Sequence, residues 1–233
     1  MAQNARKGQM PKVSDGGPKA EADNRPTQER ILAAAEELFA EAGYEGTSIR
    51  QIALKAGVPV ALISYHFGGK LGLYRRVFES HAPTLVAERR AGLALAALEQ
   101  DPDRRLAAIV KAVLVPMLGL RSAEGRQSLG RLLAREVSDP RSVERGITQD
   151  LLDPIAAAVT DLLGATLPGR SAAEIHWAYQ MMIGTMTFIM VDAGRIQRIS
   201  GGACDPEDVD ATIRHITPLI LDGFRNGRVT KAE

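Results

Sequence analysis

Residues 47 to 67 read TSIRQIALKAGVPVALISYHF, and this stretch restricts the fold more than any other. A helix that turns sharply into a second, packed helix makes demands on its sequence. A small residue inside the first helix lets the second approach, and Ala53 is there. A residue tolerant of positive φ makes the turn, and Gly57 stands four positions later. An apolar residue pins the second helix to a core, and Ile63 stands six positions after the glycine. Ile49, Ile52, Val58 and Leu62 or Phe67 complete the apolar side. A helix held this way can offer its N-terminal half to a DNA major groove. Glycine-turned helical pairs also serve plain packing, so the spacing alone leaves both uses open.

The flanking chain predicts more helices. Thr27 caps a helix in which Ile31, Leu32, Ala35, Leu38 and Phe39 recur at helical spacing, and Gly43 ends it. Thr47 starts a short second helix that stops at Gly57, and a third runs from Pro59 to about Phe67. After Gly68 and Gly69 a fourth carries Leu71, Leu73, Tyr74, Val77 and Phe78, and Pro83 kinks or divides it before about Gln100. Asp101-Pro102 and Asp205-Pro206 each pair a cap with proline at the first helical position. Ser171-x-x-Glu174 is a capping box, and Asp153-Pro154 starts a helix or kinks one begun near Arg145. No alternating apolar and polar run is bounded by hairpin turns, so no sheet is expected. With 45% apolar but only 4% aromatic residues, the chain suits packed helices, and the fold class is all-α.

The order Thr27-x-x-Arg30-Ile-Leu, Glu37-Leu38-Phe39-Ala40-Glu41-x-Gly43-Tyr44-x-Gly46-Thr47-Ser48, Ile52-Ala53-x-x-Ala56-Gly57-Val58, Tyr65-His66-Phe67-Gly68-x-Lys70-x-x-Leu73 resembles the TetR family of transcriptional regulators. The likeness is continuous over about residues 27 to 78. It implies an N-terminal three-helix helix-turn-helix domain over 27–69 and a larger all-helical ligand-binding and dimerisation domain over 70–228. Residues 1–26, polar and rich in glycine and proline, read as a disordered tail, and 229–233 as a C-terminal tail. The basic side chains of the first tail either touch DNA or are simply solvated.

The resemblance also implies roles. Thr47 and Ser48 would meet phosphates through hydroxyl and backbone N–H groups. Residues 59 to 65 would form the recognition helix, with Tyr65 and His66 gripping phosphate and Lys70 adding a charge. The family usually opens this helix with a polar cap and a base, where this chain has Pro59 and Val60. An aromatic often precedes the tyrosine, where this chain has Ser64. Base reading would then lean on Ser64 and on Val60 or Ala61 against thymine methyls.

The C-terminal half is harder to read. Residues 176 to 190 are apolar nearly all round, which implies burial on more than one face. Trp177, Tyr179, Met181 and Thr185 are candidate effector contacts, since most couple an apolar body to a polar handle. In the resembled family the last two long helices pair across a two-fold axis. That likeness points to Met186, Met190, Ile213, Ile216 and Ile220 at a homodimer interface. Leu132-Leu133-Ala134-Arg135-Glu136-x-x-x-Asp139-Pro140 looks like branches that respond to hydrophobic molecules.

Enzyme signatures are missing. Gly68-Gly69-Lys70 lacks the strand and upstream glycine of a phosphate loop, and neither Gly-x-Ser-x-Gly nor His-Glu-x-x-His occurs. A lone Cys204 excludes an intrachain disulfide and a cysteine-clustered zinc site. No cofactor and no metal are expected; His176 and His215 are better read as core or surface residues than as ligands. No apolar run is long enough to span a membrane, so a cytoplasmic protein is expected, with double-stranded operator DNA and a small effector as partners.

Net charge by itself argues against a chain built to coat nucleic acid. The 233 residues carry 29 Lys plus Arg against 28 Asp plus Glu, for a net +1. The total conceals a local pattern. Residues 27–45 hold Arg30 against Glu29, Glu36, Glu37, Glu41 and Glu45. Residues 46–81 hold Arg50, Lys55, Lys70, Arg75 and Arg76 against Glu79 alone. The basic excess therefore sits where phosphate contact is expected.

Overall fold

The computed structural model describes residues 25–123 and 126–227. The N-terminal tail through residue 24, with Arg6, Lys7, Lys12 and Lys19, and the C-terminal tail 229–233 lie outside the described residues. Among the described residues there is no strand. The helices are α1 (Thr27–Gly46), α2 (Ile49–Ala56), α3 (Val60–Phe67), α4 (Lys70–Leu98), α5 (Pro102–Leu118), α6 (Gln127–Ser138), α7 (Ser142–Arg145), α8 (Ile147–Leu151), α9 (Asp153–Thr166), α10 (Ala172–Met190), α11 (Arg195–Ile199) and α12 (Val209–Asn226).

Helices α1 to α3 and the start of α4 form the head. Its core is Ile31, Ala35, Phe39, Ile52, Ile63 and Leu73, all with 0% exposure. Burying each of the larger ones contributes roughly 1.5–3 kcal/mol and holds α2 and α3 against the same core. Ala53 is buried where the helices meet. Gly57 adopts the left-handed region (φ 65°, ψ 38°). Its N–H donates to Leu54, and the N–H of Val58 donates to the Ala53 carbonyl at 3.0 Å. That pair of bonds satisfies the orphan carbonyls at the end of α2.

Helix starts follow the expected caps at Asp101 and Ser171 but not at Thr27 or Asp205. Asp101 accepts the Arg104 N–H at 2.8 Å with Pro102 at the first helical position. Ser171 and Glu174 close the capping box of α10. Thr27, however, is already helical, and Pro26 holds the cap position with no side-chain bond. Asp205 does not open α12. It folds back on the Glu207 N–H at 2.9 Å in a turn, Pro206 is buried, and Asp208 caps the helix instead by accepting from Ala211. Asp153 starts α9 as a helix of its own.

Helix α4 joins head and body and passes through Pro83 as one element. Its first turns bury Leu73, Tyr74 and Val77 in the head. Further along it packs on α5, which also packs against α9, α10 and α12. The α4–α5 contact is very close at one point. A Cβ placed on Gly92 would stand 2.8 Å from the Cβ of Ala112, so only glycine fits there.

A buried polar cluster links head to body. Glu136 on α6 has 1% exposure and accepts the Tyr74 hydroxyl at 3.0 Å. Arg145 pairs with Glu136 at 2.8 Å and with Asp139 at 2.7 Å. Arg75 donates to the Arg145 carbonyl at 2.7 Å and pairs with Asp150. Burial pushes the Tyr74 phenol pKa up, and the Glu136 carboxylate beside it adds to the rise.

Candidate nucleic-acid interface and effector cavity

Helix α3 is eight residues long, and an α-helix, about 10–12 Å across with its side chains, fits the width of a major groove. Ile63 faces wholly inward. Pro59, Val60, Ala61, Ser64 and Tyr65 are exposed together. Tyr65 is 82% exposed and Val60 41% exposed, although both are large and partly apolar. Such side chains are free to meet another surface.

His66 is half-buried, and its Nδ1 accepts from the Gln28 amide at 3.2 Å. With Nδ1 occupied as acceptor, the ring proton sits on Nε2, where it can donate to a phosphate oxygen. Gln28, on α1, was invisible to spacing arguments because it is 38 positions from its partner. Lys70 opens α4, and its ammonium lies 4.3 Å from the centroid of the Tyr44 ring. The ring steadies the charge without neutralising it.

Two expectations change here. Thr47 is 3% exposed, and its hydroxyl is directed at the carbonyls of Leu38 (3.0 Å) and Gly43 (2.9 Å). It therefore ties α1 to α2 and has no hydroxyl to offer phosphate. Ser48 is exposed but engaged as the cap of α2, accepting the Gln51 N–H at 3.2 Å. The basic excess is also smaller than the sequence count. Lys55 pairs with Glu37, Arg75 with Asp150 and Arg76 with Glu79. Arg50 and Lys70 are the bases of this segment that make no ion pair among the described residues.

In the body, α10 divides the candidate effector residues. Trp177 (70% exposed) and Met181 (69% exposed) face outward, and with Thr185 they line an open groove shared with Ile216, Leu219 and Ile220 of α12. The Thr185 hydroxyl donates to the Met181 carbonyl at 3.0 Å, so its polar handle is spent within the helix. Tyr179 points the other way. It lines an inner cavity of about 230 Å³ with Arg89, Met117, Leu133 and Ile183. Met186 and Met190, expected at the dimer interface, are 4% and 3% exposed within the subunit and line this same cavity. They have almost no surface left for a partner. Ile213, Ile216 and Ile220 are half-buried along α12. His176 bonds the Ala172 carbonyl through Nδ1 at 2.7 Å. Among the described residues no group of His, Cys, Asp and Glu could hold a metal ion, and no helix is long and apolar enough to cross a membrane.

Known proteins align with both halves. Residues 31–77 match the family described as bacterial regulatory proteins, tetR family. Residues 111–223 match the tetracyclin repressor-like C-terminal domain. The probable HTH-type transcriptional regulator YttP of Bacillus subtilis is 43% identical over 63 residues, which cover 25% of this chain and 30% of that protein. The HTH-type transcriptional regulator TtgW of Pseudomonas putida is 32% identical over 110 residues, 47% of this chain and 74% of that protein. The structure of the fatty acid degradation regulator FadR from Bacillus halodurans superposes with a TM-score of 0.59 at 19% identity, covering 87% of this chain and 98% of that one. At that identity the superposition speaks for the fold alone. The chain spans less than a third of YttP. These matches are to regulators of transcription, not to enzymes.

Proposed function

The chain belongs to the TetR family of transcriptional regulators, and from that premise we propose that it binds a palindromic DNA operator as a homodimer, acts as a repressor, and changes its DNA affinity when a small, mostly hydrophobic molecule enters the C-terminal body. The observation that carries this reading is the exposed face of α3. Val60, Ala61, Ser64 and Tyr65 stand out together on a helix locked from behind by Ile63. Tyr65, His66 and Lys70 serve the phosphates, and Val60, Ala61 and Ser64 the bases.

The groove between α10 and α12 supports the dimer. Trp177, Met181, Phe188 and Leu219 are 63–74% exposed, and the three on α10 are spaced four and seven residues apart, which puts them on one face as a stripe. A second copy related by a two-fold axis would bring the same stripe to the same stripe. The two α3 helices would then reach successive major grooves, about 34 Å apart. An effector that prefers one spacing of these helices over another shifts the DNA affinity by its difference in affinity for the two states. A regulator that meets DNA in this way works in the cytoplasm.

The test is a salt titration of binding to duplex DNA from the protein's own promoter, read by fluorescence anisotropy. Affinity should fall steeply and linearly on a log–log plot as salt rises. Tyr65→Ala, at an exposed position, should weaken binding without changing the melting temperature. A protein that ignores the duplex at low salt would defeat the proposal.

A further inference from the structure

Arg89 is the least expected residue of the body. It lies on α4, is 8% exposed, and faces the interior of the helix bundle. Its Nε is buried with no hydrogen-bond partner. Among the described residues no carboxylate pairs with it. The other buried arginine of this region, Arg145, is held by Glu136 and Asp139. Burying most of a guanidinium with its Nε unpaired is costly, so a folded chain normally supplies a partner.

The surroundings of Arg89 show what could supply one. It lines the inner cavity with Tyr179, Met186 and Met190, and also a tight apolar crevice with Phe78, Val86 and Ile155. The crevice is apolar apart from Arg89, while the wider cavity mixes apolar walls of methionine, leucine and isoleucine with Ser142, Thr148, Tyr179, Gln180 and Thr187. Asp153 is the acidic residue lining this space, and it is exposed. Burial lowers the Arg89 pKa, and among charged or titratable neighbours only the Tyr179 phenol acts on it appreciably.

We infer that this cavity takes an amphiphile with an anionic head, a carboxylate or a phosphate, whose head pairs with the Arg89 guanidinium while its apolar body lies among the methionines and leucines. The inference rests on the inner cavity being the effector site of the proposed regulator, and it adds the charge of the effector and the residue that reads it. A planar guanidinium can give an oxoanion two parallel N–H bonds, which a neutral alcohol cannot accept in the same way. Arg89 sits on the helix that also carries Lys70, roughly 28 Å away at 1.5 Å per residue. Neutralising it would act directly on the element that enters the head.

The experiment compares dodecanoate, dodecyl phosphate and dodecanol, each below its micelle concentration, by titration calorimetry on the full chain. The two anions should bind at least about tenfold more tightly than the alcohol, as expected for a charge-assisted pair. Whichever anion binds more tightly tells a carboxylate source from a phosphate source. Arg89→Met should erase the preference, and Arg89→Lys should keep part of it. Removing an unpaired buried charge should also raise the melting temperature of Arg89→Met, whereas a merely structural arginine would lower it. Equal binding of dodecanol and dodecanoate overturns the inference and leaves a neutral effector in the same cavity. Failure of every probe to bind, with Arg89→Met less stable than the parent, overturns it by making Arg89 a packing residue. Operator binding, measured without any probe, is judged separately from all of these results.

Discussion

Tyr74 and Glu136, 62 positions apart in the chain, are joined by a 3.0 Å hydrogen bond from the phenol to the carboxylate, and both side chains are buried. Tyr74 stands on the first turns of α4, against the head, and Glu136 stands on α6, in the body. The bond is one of several polar ties across that boundary, together with Arg75 to Asp150 and Arg141 to Glu45. Arg135 adds another by donating to the Glu41 carbonyl at 3.0 Å.

Removing Glu136 should therefore be severe. Glu136→Ala leaves Arg145, 5% exposed, with Asp139 as its remaining partner and takes the acceptor from the buried Tyr74 hydroxyl, and losing one partner of a buried pair costs about 3–5 kcal/mol. Tyr74→Phe removes a single bond to a charged group and should cost about 1.5–3 kcal/mol. Urea unfolding, read as the shift in midpoint, measures both. A midpoint for Glu136→Ala equal to that of the parent would contradict the cluster's structural role.

Thr47 and Lys70 should separate stability from DNA contact. Thr47→Val loses a hydroxyl that bonds inside the head, so it should lower stability by about 1–2 kcal/mol and leave the salt slope of DNA binding alone. Lys70→Ala should do the reverse. Its stability should hardly change, and the salt slope should fall by about one. Thermal melting and binding at several salt concentrations give the two readings, and an altered slope in Thr47→Val would return that residue to the interface.

The outward stripe of α10 should govern assembly. Met181→Glu places a charge on a face where the native side chain is 69% exposed in the single subunit, so the subunit itself should keep its helicity. The dimer should be lost, because a like charge would meet its own copy across the two-fold axis. Sedimentation should show one subunit mass for the variant and two for the parent. A variant that still sediments as a dimer would place the interface elsewhere.

The head was legible because its determinants are local. Ala53, Gly57 and Ile63 fall within one short stretch, and each does in the structure what its chemistry requires. What the sequence hid is what long-range packing decides. The partners of Thr47 lie on α1 and are set by how α1 and α2 meet. Helix α10 is apolar nearly all round, so its periodicity could not say that Met186 and Met190 face the subunit core while Trp177 and Met181 face out. Asp205-Pro206 reads as a helix start, but Pro206 is buried in a turn and the helix begins instead at Asp208, whose side chain caps it. Arg89 gave no signal at all, because a lone base on a helix normally reads as solvated.

The close approach of Gly92 to Ala112 has a mechanical consequence. With no room between the backbones, α4 and α5 cannot come closer there, and the contact can serve as a fulcrum. Arg89 is about 4.5 Å along the axis from that point and Lys70 about 33 Å, at 1.5 Å per residue. A rigid rod pivoting there multiplies a transverse movement roughly sevenfold. A shift of about half an ångström at Arg89 would swing the start of α4 by about 3–4 Å, enough to take α3 out of register with a groove.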